Sequence, residues 1–140
     1  MSTAVHPKVR ELFGAWLEHS PFARLTGLRL DEMEVDRAVV TMPYAGDLTT
    51  SGEVVHGGAI ATLLDVAAVA AAWSGVTDEG AATGATVSSS VNYMRAAKGT
   101  DLVATARVTR RAKSFCFCEV TIRDAGDELV AQGLVTYKIA

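Results

Sequence analysis

Cysteine is scarce in this chain, with only Cys116 and Cys118 in 140 residues. Their spacing fits neither redox nor zinc patterns, and no histidine lies nearby to complete a metal site. Within FCFCEVTIR both point to the face of Val120 and Ile122, which makes them small core residues. Basic charge is not in excess: 13 Lys and Arg against 16 Asp and Glu leave a net charge of −3, and no segment masses positive charge. That removes the electrostatic footprint of nucleic-acid binding. No long uncharged apolar run is present either. The longest, Gly57 to Trp73, is alanine-rich and contains Asp65, and MSTAVHPKVRELF lacks the apolar core of a signal peptide. No membrane association is expected, and the cytoplasm is the expected location. Repeats and low-complexity linkers are missing as well. A length of 140 residues, 49% hydrophobic and 21% charged, fits one domain over 1–140 that folds without metal or disulfide support.

What is present is an ordered series of elements. Val9, Leu12, Phe13, Trp16 and Leu17 recur at helical spacing over 7–19, and Ser20-Pro21 ends the run, so residues 1–22 form a cover helix and lead-in. Strands are predicted at 27–34 and 37–43, followed by a loop, YAGDLTTSGEVVHGG, and a long helix from Gly57 to Trp73. After a Gly/Ala/Thr connector come strand patterns at 84–95, 101–110, 114–123 and 128–138, with a turn signal at Asp124-Ala125-Gly126-Asp127. They read as an antiparallel meander. A long apolar helix and consecutive strands imply an α+β class, an antiparallel sheet wrapped around the helix.

Asp65 is the residue that most needs a functional explanation. A carboxylate in an apolar helix is expensive unless it is paired, hydrogen-bonded or opens onto a wet cavity. At about 100° per residue, Ile60, Leu63, Leu64, Ala67 and Ala71 share one face, while Asp65 lies opposite among Gly58, Ala61, Thr62, Ala68, Val69 and Ala72. The first face reads as core, the second as the wall of a site or a subunit seam. An Asp there could simply accept hydrogen bonds at a helix interface. His56-Gly57-Gly58 argues for more, because glycines at a helix start let a ligand approach N–H groups at the positive end of the dipole. Such a helix end can hold the negative charge that develops on a carbonyl oxygen in acyl transfer. In the first strand after the helix, Thr86, Ser88, Ser90 and Asn92 fall on one face and Ala85, Val87, Val91 and Tyr93 on the other. The polar row either meets solvent or lines a cleft.

The combination GEVVHGGAIATLLDVAAVAAAW, then VSSSVNYMRAAKGTDLVATARV and the terminal strands, resembles the hotdog-fold acyl-CoA thioesterases of the PaaI-like (phenylacetate-degradation) group, over about residues 10–138. The resemblance implies that Asp65 acts as general base or nucleophile, and that the Gly57 N–H, flanked by Gly58, binds the thioester oxygen. It implies a positioning role for His56, and puts Thr86 where relatives carry a serine that places water. Relatives often have Asn or Gln where this chain has Thr50, so either its hydroxyl supplies part of that role or a shift in the loop brings another group into place. The resemblance further implies a homodimer with sites shared between subunits, pairing into a homotetramer, with acyl-CoA as substrate and no cofactor or metal. Arg95, Lys98, Arg110, Arg111 and Lys113 could meet coenzyme A phosphates, and Phe22, Tyr44 and Tyr93 could line an acyl pocket. A noncatalytic acyl-CoA-binding protein and an enoyl- or hydroxyacyl-thioester hydratase are the alternatives. The hydratase is disfavoured because His6, His19 and His56 are the only histidines.

Overall fold

The computed structural model describes residues 4–77 and 83–139. Helix α1 spans Pro7–His19, capped by His6 with Pro7 in its first turn. Ser20-Pro21 ends it as expected but immediately starts a second helix, α2 (Pro21–Thr26). Ser20 serves both: its N–H bonds to the Trp16 carbonyl, and its Oγ caps Ala23. Gly27, at φ +71°, closes α2 in the left-handed conformation. The lead-in therefore extends past residue 22. Only Val9, Phe13 and Leu17 of α1 are buried. Leu12 and Trp16, read as part of the core stripe, are nearly half exposed.

Strands β1 (Arg29–Glu34) and β2 (Arg37–Met42) follow. The stretch expected as a plain loop holds a 3-10 turn at Gly46–Leu48 and a small hairpin of β3 (Thr49–Ser51) and β4 (Val54–Val55). Helix α3 then occupies Gly57–Trp73, the span expected from the sequence. The connector after it falls largely outside the described residues. Strands β5 (Gly84–Tyr93), β6 (Leu102–Arg111), β7 (Phe115–Asp124) and β8 (Leu129–Ile139) complete the chain.

All neighbours in the large sheet are antiparallel, in the order β1-β2-β6-β7-β8-β5. The expected four-strand meander is thus corrected. Only β6, β7 and β8 meander, while β5 crosses to the far edge and pairs with β8. The two edges differ in character, since β1 (RLDEME) is mostly charged and β5 (GATVSSSVNY) carries no charge.

Helix α3 packs across β2, β6, β7 and β8. Leu63, Leu64, Ala67 and Ala71 are wholly buried, as their face predicts. Burying each leucine contributes about 1.5–3 kcal/mol. Facing them are Cys116, Cys118, Val120 and Ile122, the predicted inward row of β7. The helix approaches the sheet so closely at Gly133 that a Cβ there would lie 2.7 Å from Leu64 Cδ1 and 2.5 Å from the Ser90 carbonyl. Among the residues expected on the small face, Ala68 and Ala72 are fully buried. The accessible stripe narrows to Gly58, Ala61, Thr62, Asp65 and Val69.

Arg111 closes the other end of α3. Its guanidinium donates to the Ala72 carbonyl at 3.0 Å and to Asp36 Oδ1 at 2.8 Å. Ser74 joins the same latch, its Oγ accepting from the Asp36 N–H at 2.7 Å. A cation at a helix C-terminus is stabilised by the dipole. No described helix is long and apolar enough to cross a membrane.

Candidate active site

The start of α3 is held from three sides. The His56 N–H bonds to the Leu48 carbonyl at 2.8 Å and the Val55 N–H to the Ala97 carbonyl at 2.9 Å, which anchors the incoming chain. His56 is the cap: its Nδ1 accepts from the Gly58 N–H at 2.7 Å. That bond requires an unprotonated Nδ1, so the imidazole proton of the neutral ring sits on Nε2. The N–H groups of Ala59 and Ile60 return to the His56 carbonyl at 2.9 and 3.1 Å. Among the described residues, the Gly57 N–H is then the first-turn donor left without an intrachain acceptor.

The next peptide, between Gly57 and Gly58, is fixed at both ends. His56 takes its N–H, and the Tyr93 hydroxyl donates to its carbonyl oxygen at 3.2 Å. The Tyr93 ring lies against the helix start, 3.5 Å from where a Gly57 Cβ would be. Tyr93, a candidate pocket residue from the sequence, thus has its hydroxyl bonded at the start of α3.

Asp65 lies two turns further on, half-buried, and Thr86 Oγ1 donates to its Oδ1 at 2.6 Å. A β-bulge makes this possible. Thr86 pairs with Tyr137 and Ser88 with Thr136, leaving Val87 unpaired. Directly opposed residues share a face, so Thr86 lies with Ser89, Val91 and Tyr93 on the α3 side. Ser88, Ser90 and Asn92 turn outward. The expected continuous polar row is therefore split, and Thr86 alone of it reaches Asp65. Beside this pair, burial pushes the Tyr137 phenol up, opposed by the Trp73 indole N–H that it accepts at 3.0 Å and reinforced by Asp65. Asp65 also borders a cleft of about 360 Å³ whose other walls come from α1, α2 and α3.

The remaining site residues sort by position. Thr50 is exposed on the β3–β4 hairpin, and Gly58 has its N–H committed to His56. Arg95 is exposed and paired with Glu128 at 3.5 Å. Arg110 is exposed, opposite Phe117 in the β6–β7 register. Arg111, considered for phosphates, is turned inward to α3. From Gly57 to Asp65 is eight residues, about 12 Å of helix at 1.5 Å each. One chain does not bring both to the same carbonyl carbon.

Residues 52–131 match the family model of the Thioesterase superfamily. The chain is 30% identical over 134 residues to human acyl-coenzyme A thioesterase 13, covering 94% of each protein. It is 31% identical to a conserved protein of Pseudomonas aeruginosa of known structure, with a TM-score of 0.78, covering 86% of this chain and 94% of that one. It shares the fold of the E. coli PaaI protein at a TM-score of 0.83 and 22% identity, over 98% and 96% of the two chains. The fold is thus the hotdog fold, and the protein is a thioester hydrolase. The chain belongs to the thioesterase superfamily.

Proposed function

We propose that the protein hydrolyses acyl-CoA thioesters in the cytoplasm, at sites each shared by two copies of the chain. The observation that carries this reading is Asp65, held by Thr86 on the accessible stripe of α3 and opening onto an apolar cleft. The name of the human relative, acyl-coenzyme A thioesterase 13, supports the substrate class.

In this mechanism the Gly57 N–H of one protomer binds the thioester oxygen at the positive end of α3. Asp65 of the other protomer takes a proton from water. Thr86 occupies Oδ1, which leaves Oδ2 to receive that proton. The resulting hydroxide attacks the carbonyl carbon, and the oxyanion formed is stabilised by the Gly57 N–H and the helix dipole. Collapse breaks the C–S bond. Coenzyme A leaves as thiolate, a good leaving group since thiols ionise near pH 8.5, and the proton on Asp65 passes to it or to solvent. The same Asp65 oxygen could instead attack the carbonyl directly, giving an anhydride that water then opens. His56 caps the helix, Gly58 keeps its first turn open, and Thr50 lends a hydroxyl from the hairpin. Arg95 and Arg110, both exposed, attract the phosphates of coenzyme A. The chemistry needs no metal or redox cofactor.

The separation between Gly57 and Asp65 within a chain supports the shared site, and the uncharged β5 edge supports a homodimer. Exposed Phe117 and Leu134 on the outer face of the sheet support further pairing into a homotetramer.

The test is thiol release from a panel of acyl-CoA esters by wild type and Asp65→Asn, matched in oligomeric state. Turnover falling by about 10²- to 10⁴-fold in the variant is expected. Wild-type binding without turnover across the panel would replace the hydrolase with a binding role, and equal turnover by both would remove Asp65 from the chemistry.

A further inference from the structure

The cleft beside Asp65 is built from parts that the amphipathic design of α1 and α2 does not need. Its floor is a stripe of α3 in which Ala61 and Thr62 sit one turn before Asp65 and Val66. Its walls include Trp16 and Phe22, which are 45% and 57% exposed although the core they border is closely packed. Trp16 is steadied from behind by buried Phe13, ring centroids 5.5 Å apart. Phe22 is placed by the corner at Ser20-Pro21, where α1 hands over to α2. Two rings held open above a floor of small side chains make a slot, and one end of that slot is the proposed catalytic carboxylate.

We infer that this cleft receives the acyl group of the substrate, and that it selects compact, uncharged acyl groups with Trp16 and Phe22 as the specificity-determining walls. The inference rests on the thioesterase reading and adds the acyl class to it. Position supplies the first argument: a thioester whose carbonyl is within reach of Asp65 has its acyl carbons beginning where the cleft begins. Size supplies the second. At about 360 Å³ the cleft is at the small end of ligand pockets, which run roughly 300–1,000 Å³. At about 30 Å³ per water-sized group it covers about a dozen non-hydrogen atoms, the size of an aryl or medium-chain acyl group, and the rest of a palmitoyl chain would lie outside it. Charge supplies the third. The lining has no basic side chain, and Asp65 is its only ionisable group. An acyl group with its own carboxylate would be desolvated beside an anion with nothing to pair it.

Selectivity and chemistry then occupy separable parts of the chain. Gly57, Asp65 and Thr86 lie within the matched family segment, residues 52–131, whereas Trp16 and Phe22 precede it.

The experiment compares kcat/KM for phenylacetyl-, hexanoyl-, palmitoyl- and succinyl-CoA in wild type, Phe22→Ala and Phe22→Arg, with oligomeric state measured for each. Phe22 is exposed, so both variants keep the core. Wild type is expected to favour phenylacetyl and hexanoyl esters over palmitoyl and succinyl esters. Phe22→Ala should lose on the order of tenfold on the phenylacetyl ester, lowering the phenylacetyl-to-hexanoyl ratio of kcat/KM. Phe22→Arg should raise succinyl relative to hexanoyl turnover. Turnover with an acyl profile identical in all three proteins would overturn the inference while leaving the hydrolase intact. So would wild-type preference for palmitoyl or succinyl esters, or a change in oligomeric state in place of selectivity. Absence of turnover on every ester would instead strike the hydrolase reading itself.

Discussion

Thr86 Oγ1 donates to Asp65 Oδ1 at 2.6 Å across 21 residues of sequence, and the bulge at Val87 is what aims it. The bond holds one carboxylate oxygen and orients the other. Replacing Thr86 by Val keeps the shape and removes the donor. The expected result is a fall in kcat of on the order of tenfold with little change in KM, as expected for a group that positions a base. Thr86→Ser should restore most of the rate. Steady-state kinetics on one ester distinguishes this from a packing role, in which Ser would behave worse than Val.

Tyr93 and His56 hold the Gly57–Gly58 peptide from opposite ends. Tyr93→Phe removes one of the two bonds and leaves the ring against the helix. Loosening the peptide next to the proposed oxyanion donor should lower kcat by about tenfold, less than the 10²- to 10³-fold typical of losing such a donor outright. Unfolding midpoints should match wild type within a degree or two. A large loss of stability would mean that the hydroxyl serves folding rather than the site.

Arg111 ties the end of α3 to Asp36, and its Nη1 also contacts Cys116 Sγ at 3.1 Å. Arg111→Met retains the aliphatic stem but leaves the Ala72 carbonyl and Asp36 without their charged donor. Hydrogen bonds to charged groups contribute about 1.5–3 kcal/mol, so denaturant unfolding should show a loss of about 2 kcal/mol. Arg110→Met, from an exposed neighbour, should change stability by less than about 0.5 kcal/mol.

Burial pushes the Cys118 thiol up to about 12, with neighbouring Cys116 adding and Arg111 opposing. A raised folded pKa means the neutral thiol is favoured in the fold. Its contribution to stability is complete below the unfolded value of 9.0 and is lost as pH rises toward about 12. Cys118→Ala should therefore flatten the alkaline limb of the stability profile between those limits. At pH 8 the native thiol should react with a disulfide reagent at least about 10³-fold more slowly than the unfolded one.

Much of this fold was legible because the periodicities are clean. Helix α3 begins and ends where the His-Gly-Gly start and the last apolar residue place it, and Asp65 stands out against its neighbours by charge alone. The inward row of β7 follows from alternation. The bulge in β5 was not legible, since Thr86, Ser88, Ser90 and Asn92 alternate without interruption and only the pairing with β8 shows that Val87 is skipped. Pairing of β5 with β8 rather than β6 is long-range, and local patterning does not encode it. Arg111 and Arg110 are indistinguishable as neighbours in sequence. Their roles diverge because the irregularity between Val108 and Arg110 shifts the β6–β7 register, and Arg111 pairs opposite buried Cys116. Ser20-Pro21 ends α1 as its residue types imply, but the same dipeptide is a cap followed by proline at a first helical position, which also begins a helix.

The contrast between the two sheet edges bears on handling and expression. Strand β1 defends itself: it is short, irregular at Asp31 and crowded with charge, all of which discourage pairing with foreign strands. Strand β5 is longer, at ten residues, carries no charge, and is interrupted only by the bulge at Val87. A freshly synthesised chain thus offers one adhesive border, and crowding of nascent chains at high expression favours aggregation through it. A lysine placed in β5 would keep such a preparation clear, and on the proposed two-chain site it would also lower activity, so that solubility and activity would trade against each other along this one strand.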